Sequence, residues 1–256
     1  MMTKKETEKF LPSNLLEGMT SISALLNSDC NNDRKIERVW IDIAKKSTKA
    51  GEIRFLMAKS KELGFVIEFV DAARIDEITV GNTHGGILAF CTDRTFPVLH
   101  PSHLKPNGFY VFLEGIEDPY NFGYTVRSLY AAGVDGIVLP ARNWMSAAGV
   151  VARASAGASE LIPMFTANVE DVIPVFRSLS YTVLCAGIRD SVSVFDECFR
   201  YPVLLVIGGE KRGISRKILE QADKIVRIDY GREFRGSLSA ASAATVMAFE
   251  IFRQNK

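Results

Sequence analysis

Phe109-Tyr-Val-Phe-Leu113 runs without a polar interruption, and shortly after it the chain reads Asp118-Pro-Tyr-Asn-Phe-Gly-Tyr-Thr-Val-Arg-Ser128. The first run has the length and the β-branched and aromatic content of a strand buried on both faces. Asp118 and Pro119 then break the strand, Asn121 is a residue type that caps helices, and Tyr124, Val126, Leu129 and Tyr130 continue as a helix. A helix that starts at the carboxyl end of a parallel strand is where open α/β sheets place ligands, because free N–H groups and the helix dipole point outward there. Arg127 lies under two turns into this helix, so Asn121 and Arg127 are candidates for one site; a cap and a solvated arginine would use the same residues.

Working outward, 256 residues are enough for two domains, and 47% hydrophobic with 24% charged residues is an ordinary globular composition. Met1 to Lys9 is polar and charged, without the apolar stretch of a signal peptide, and no run of about 18 apolar residues occurs anywhere. A cytoplasmic protein without a membrane span is expected. Cys30, Cys91, Cys185 and Cys198 are scattered, with no Cys-x-x-Cys pair, and suit reduced thiols. Cys91, His100 and His103 lack a fourth ligand and lie among Pro97, Pro101 and Pro106, so a linker is expected there and no metal site.

Before the linker, Leu16 to Leu26 has helical spacing, Arg38 to Ile43 reads as a strand, Glu52 to Leu63 as a helix, and Phe65 to Val70 and Gly86 to Cys91 as strands flanking a short helix, Ala72 to Ile78. After it, strands at Phe109–Leu113, Gly136–Leu139, near Leu161, Thr182–Ala186, Pro202–Ile207 and Lys224–Ile228 alternate largely with helical stretches, ending in Ser239 to Arg253. Such alternation predicts an α/β fold with a parallel sheet covered on both faces. The expected organisation is an N-terminal α/β domain over 1–95, a linker over 96–107 and a larger α/β domain over 108–256.

Net charge is only +1, but Lys45, Lys46, Lys49, Arg54, Lys59 and Lys61 face a single acid, Glu52, over one short stretch. A phosphate backbone would suit that face, as would plain solvation. Two further loops follow strands of the second domain. Leu204-Leu-Val-Ile-Gly-Gly-Glu-Lys-Arg-Gly-Ile-Ser215 runs from strand to glycine loop to a helix with Ser215 at its cap; it ends neither as a Walker loop nor as a dinucleotide fingerprint. Gly208, Gly209 and Gly213 would let a ligand approach the backbone. Val226-Arg-Ile-Asp-Tyr-Gly-Arg-Glu-Phe-Arg-Gly-Ser237-Leu-Ser239 leads to a helix start made almost wholly of Ala and Ser. Three strand-end loops in one α/β domain are expected to share a pocket at one sheet edge.

These residues resemble the SpoU/TrmH class of RNA ribose 2'-O-methyltransferases, in the knotted SPOUT superfamily. Asn121-Phe-Gly-Tyr-Thr-Val-Arg127-Ser is similar to its first motif, Gly208-Gly-Glu210 through Gly213-Ile-Ser to its second, and Ile228 with Ser237-Leu238 to its third. Arg153-Ala-Ser-Ala-Gly-Ala-Ser-Glu-Leu-Ile-Pro163 resembles the connecting segment, and the N-terminal unit ending in His84-Gly-Gly-Ile-Leu-Ala89 resembles a ribosomal-protein-like RNA-binding domain. The resemblance implies a trefoil-knotted C-terminal domain, a homodimer with active sites shared between subunits, and S-adenosylmethionine as methyl donor. It implies catalytic roles for Asn121, Arg127, Glu210 and Ser237, and cofactor contacts for Gly208, Ile228 and Leu238. The substrate implied is structured RNA, rRNA ahead of tRNA.

Two positions depart from that pattern. Ser239 stands where the family has Asn, and Asp229 where it has Pro after the motif's Ile, in a loop one residue longer. A protein that binds RNA with weakened or lost catalysis is therefore the alternative expectation.

Overall fold

The computed structural model describes residues 14–28, 32–79, 84–140, 148–209 and 211–256. The chain divides into two compact units. The first holds the described residues up to Arg94 together with those between 148 and Glu160, and the second begins at Thr95 and resumes at Leu161.

In the first unit, β1 (Leu15–Glu17), β2 (Ile36–Asp42), β3 (Val66–Val70) and β4 (Ile87–Cys91) form a sheet in the order β1-β4-β2-β3. Only β2 and β3 run parallel; β4 is antiparallel to both its neighbours. Helices α1 (Gly18–Leu26), α2 (Ala50–Leu63) and α3 (Ala72–Asp76) complete it, with α5 (Ala148–Ala154) and α6 (Ala158–Leu161) arriving from later in the chain. Leu16 belongs to a strand rather than to the expected helix, because its register opposite Ala89 of β4 uses its backbone in the ladder. Leu16, Ile22, Val39, Ile41, Leu56, Ile87 and Ala89 form one buried cluster with Ala152 of α5.

The second unit is built on β5 (Phe109–Leu113), β6 (Gly136–Pro140), β7 (Met164–Ala167), β8 (Thr182–Ala186), β9 (Val192–Ser193), β10 (Val203–Ile207) and β11 (Lys224–Arg227). The sheet order is β7-β6-β5-β10-β8-β11-β9, and every pairing in it is parallel. From β5 the chain moves outward to β6 and β7, then crosses to β8 and inserts β10 between β5 and β8. That reversal of direction is a topological switch point. The strand expected near Leu161 is β7; Leu161 itself ends α6, an apolar run of this kind being open to either reading until pairing decides it.

Tyr110 and Phe112 of β5, Val183 and Cys185 of β8, and Leu204 and Val206 of β10 pack on one face, under Val172, Ile173 and Phe176 of α7 (Val169–Arg177) and Ile218 of α8 (Arg216–Leu219). On the opposite face α4 (Pro119–Ala131) packs against α9 (Ala240–Asn255), which also meets β10. Phe109, Val111, Leu113, Val203, Leu205 and Ile207 are all buried, as a strand covered on both sides requires.

Candidate active site

Leu113 and Ile207 stand side by side at the carboxyl ends of β5 and β10, and the Glu114 N–H donates to the Ile207 carbonyl at 3.0 Å. The two turns that follow therefore leave the sheet at one level. They are packed backbone on backbone: a Cβ on Gly209 would stand 2.3 Å from the Gly115 carbonyl oxygen. Gly208 is as tightly held, since a Cβ there would lie 2.2 Å from the Gly213 carbonyl carbon. Gly213, with φ +65°, turns the chain back so that its N–H reaches the Gly209 carbonyl at 2.8 Å. On the side where a Cβ would stand, Gly208 and Gly209 make room for the chain itself and not for a ligand.

The cap assignments differ from those expected. Asp118 is the N-cap of α4, its carboxylate accepting the Asn121 N–H at 2.7 Å, with Pro119 in the first helical turn. Asn121 is thereby released from capping, and its amide, half-buried, lines a cavity. At α8, Ser215 holds the cap position without a side-chain cap bond; its N–H donates instead to Glu114 Oε2 at 2.9 Å. The Ser215 hydroxyl is buried and has no hydrogen-bond partner.

That cavity has a volume of about 440 Å³ and is lined by Glu114, Glu117, Asp118 and Asn121 from the first turn, and by Gly209, Lys211, Arg212, Gly213 and Ser215 from the second. Acids and bases therefore face each other across it. Lys211 lies 3.9 Å from Glu117 and both are exposed, a pair worth little in water. Such a pocket offers amide, hydroxyl and guanidinium donors beside carboxylate acceptors, the inventory that a sugar-phosphate needs. Beneath it, burial and the nearby Glu114 carboxylate push the Cys185 thiol up to about 12, which leaves that sulfur protonated and unreactive. Among the described residues no group of three or more His, Cys, Asp or Glu is gathered that could hold a metal, and no helix is long and apolar enough to cross a membrane.

Residues 108–249 match the SpoU rRNA methylase family, and residues 15–97 match the substrate-binding domain of RNA 2'-O ribose methyltransferases. The chain belongs to the SpoU rRNA methylase family. Among its relatives, a Staphylococcus haemolyticus protein assigned to the TrmH family of tRNA/rRNA methyltransferases is 28% identical over 225 residues, covering 86% of this chain and 88% of that protein. The AdoMet-bound rRNA methyltransferase of Sinorhizobium meliloti superposes with a TM-score of 0.76 at 25% identity, over 93% of this chain and 86% of the other. The SpoU methyltransferase AviRb of Streptomyces viridochromogenes shares the fold at 21% identity and a TM-score of 0.74, over 94% of this chain and 89% of its own.

The remaining SpoU motif positions are distributed as follows. Arg127 is exposed on α4 and does not line the cavity that Asn121 enters. Gly208 leads the second turn directly from β10, while Glu210 lies outside the described residues. Ile228, half-buried, follows β11; Ser237 and Leu238 are exposed in the loop before α9, and none of these three lines the cavity. The first two loops thus share this pocket, and Ile228, Ser237 and Leu238 of the third are not among its lining.

Both departures have local partners. Ser239 is the N-cap of α9, its Oγ accepting the Ser242 N–H at 3.1 Å. Asp229 accepts from Arg227 Nε at 2.8 Å, and hydrogen bonds from Ser193 and Arg227 hold its carboxyl below the usual range. Arg227 in turn donates to the Ser191 carbonyl, tying the start of the third loop to the segment after β8. Neither Glu114 nor Tyr230 is marked by the sequence as a site residue, because an acid just past a strand and a lone tyrosine in an irregular loop carry no periodic signal.

Proposed function

We propose that this protein is an S-adenosylmethionine-dependent RNA methyltransferase that methylates the ribose 2'-oxygen of structured RNA, rRNA ahead of tRNA. It works as a cytoplasmic homodimer with the trefoil knot of its superfamily. The observation that carries this reading is the cavity in which Asn121 meets the Gly209–Ser215 turn. Membership of the SpoU family supports the chemistry.

The residues present fit the methyl donor. Adenine has apolar faces and polar edges; half-buried Ile228 and Leu238, 37% exposed, offer it aliphatic side chains, and the strand-end backbone at Gly208 offers edge hydrogen bonds. When bound, S-adenosylmethionine supplies a cationic, activated methyl group. What the protein itself contributes is then alignment, because a ribose hydroxyl is a poor nucleophile at neutral pH and gains most from being held in line. Asn121 both donates and accepts and is suited to the sugar hydroxyls, with Ser237 supplying a second hydroxyl contact. Arg127 presents a planar fork of N–H donors and so serves to hold the flanking phosphate and ribose. By its place in the Gly208-Gly-Glu210 motif, Glu210 is assigned to shaping the site.

Tyr120, Tyr124 and Tyr130 expose large rings along α4, and Phe249 does so on neighbouring α9, which supports a second copy covering this surface. Sedimentation equilibrium checks the dimer.

Transfer of labelled methyl from S-adenosylmethionine to undermethylated total RNA, followed by mapping of the alkali-resistant linkage that a 2'-O-methyl creates, tests the reaction. Arg127→Ala is expected to lower turnover at least a hundredfold while calorimetry gives cofactor affinity within about threefold of the wild type, since two broken charge-assisted bonds are worth roughly 3 kcal/mol or more. A parallel loss of cofactor binding contradicts the assignment of Arg127 to the acceptor.

A further inference from the structure

The loop between β11 and α9 carries an exposed aromatic pair. Tyr230 and Phe234 are 38% and 58% exposed, yet their rings are ordered against each other, with centroids 5.8 Å apart and planes tilted by 59°. Phe234 lies over the backbone of Gly236 so closely that a Cβ there would come within 2.6 Å of the ring's Cζ. The Tyr230 hydroxyl accepts the Leu238 N–H at 3.1 Å and closes the loop at its stem, beside Ser237. Arg232 and Arg235 flank Phe234 and are exposed, and neither has an ion-pair partner among the described residues. Glu233 is the only acid between them, and Asp229 is already engaged by Arg227.

A solvent-facing aromatic pair costs hydration free energy unless something covers it, and two unpaired guanidinium groups on either side select a polyanion. Unstacked nucleotides satisfy both demands, because a base stacks on the ring while the phosphates on either side meet the arginines. We infer that residues 230–235 form a nucleotide clamp: Phe234, backed by Tyr230, stacks on a base flanking the target nucleotide, and Arg232 and Arg235 hold the adjoining phosphates. Tyr230 is a positioning residue, since it fixes the loop through Leu238. The inference rests on the proposed RNA methylation, which supplies the polyanion.

The test uses the full-length protein with two readouts on undermethylated total RNA: methyl transfer, and RNA retention in a filter-binding titration. Phe234→Ala is expected to raise the RNA KM and the RNA dissociation constant about tenfold, the usual size of one lost stack. Turnover at saturating RNA and the cofactor dissociation constant stay within about threefold, and Phe234→Tyr restores the wild-type values. Arg235→Ala and Arg232→Ala each reduce the slope of log affinity against log salt by about one. Unchanged RNA affinity in Phe234→Ala overturns the clamp; so does cofactor affinity falling in step with it, or a shift to monomer in sedimentation, which would make the loop a cofactor wall or a subunit contact. Were the wild type to bind RNA without transferring methyl, the proposed function would fail, and the filter-binding arm would still decide the clamp.

Discussion

Ser239 occupies the position where the family pattern has an asparagine, and the sequence alone raises the expectation of weakened catalysis from the loss of an amide. In the fold the residue has a local role, because its Oγ accepts the Ser242 N–H and starts α9. Serine and asparagine are near equals as N-caps, each satisfying an otherwise orphaned N–H. The substitution is conservative for the helix. Ser239→Ala should lower stability by about 1 kcal/mol, seen as a fall of roughly 2–4 °C in the melting temperature. Ser239→Asn should melt within about 1 °C of the wild type and methylate RNA no faster. A large gain in turnover on restoring the asparagine would show that the amide is missing from the reaction and not only from the cap. Asn121 and Asp118 carry the converse lesson. Both are capping residue types, and only Pro119, favoured at the first helical position, marks Asp118 as the cap and leaves Asn121 for the pocket.

At the scale of elements, β5, β10 and the turns after them were legible because an apolar run ended by Gly, Asp or Pro leaves few alternatives. What the glycines are for was not. A sequence reader sees Gly208 and Gly209 as room for a ligand, whereas the room is taken by the backbones of Gly213 and Gly115. That depends on β5 and β10 being neighbours, a pairing between strands far apart in sequence that no local pattern encodes. Short elements were lost for the same reason: β9 is two residues long and exists only through its register with β11, Val226 opposite Val192. The packing of the two turns predicts a contrast between glycines. Gly209→Ala places a Cβ 2.3 Å from a carbonyl oxygen that belongs to the other turn, so the turns must separate. The expected cost is about 1–3 kcal/mol of stability, as for other overpacked sites, together with loss of most methyl transfer as the cavity that both turns line is distorted. Gly231→Ala, with nothing within 4 Å, should stay within about 0.5 kcal/mol of the wild type. Equal melting curves for the two variants would mean that the turns are not held as described.

At the scale of the whole molecule, composition and alternation are enough to anticipate two α/β units, but not which segments complete them. The first unit takes α5 and α6 from between β6 and β7 of the second, and it takes them through buried charge. Glu17 of β1, its side chain 1% exposed, pairs with Arg153 at 3.2 Å; Arg34, also 1% exposed, pairs with Glu160 at 3.4 Å. Asn32 Nδ2 donates to Glu160 Oε2 at 2.9 Å, and Arg94, whose guanidinium burial pushes below its ordinary value, donates to the Ser159 carbonyl. Gly157 lies so near α1 that a Cβ would be 2.6 Å from that of Ala24. A chain stopped at residue 97 loses the Arg153, Glu160 and Ser159 partners of Glu17, Arg34 and Arg94 together with Ala152 of the apolar cluster, and so gives up buried polar contacts and apolar cover at once. Such a fragment is expected to give a broad urea transition without a native baseline, while the full chain melts cooperatively. In the full chain, Glu160→Ala should cost about 3–5 kcal/mol, read as a lower urea midpoint with RNA affinity falling as the first unit loosens. A fragment ending at residue 97 that melts sharply, or a Glu160→Ala chain as stable as the wild type, would mean that α5 and α6 are passengers on a unit complete without them.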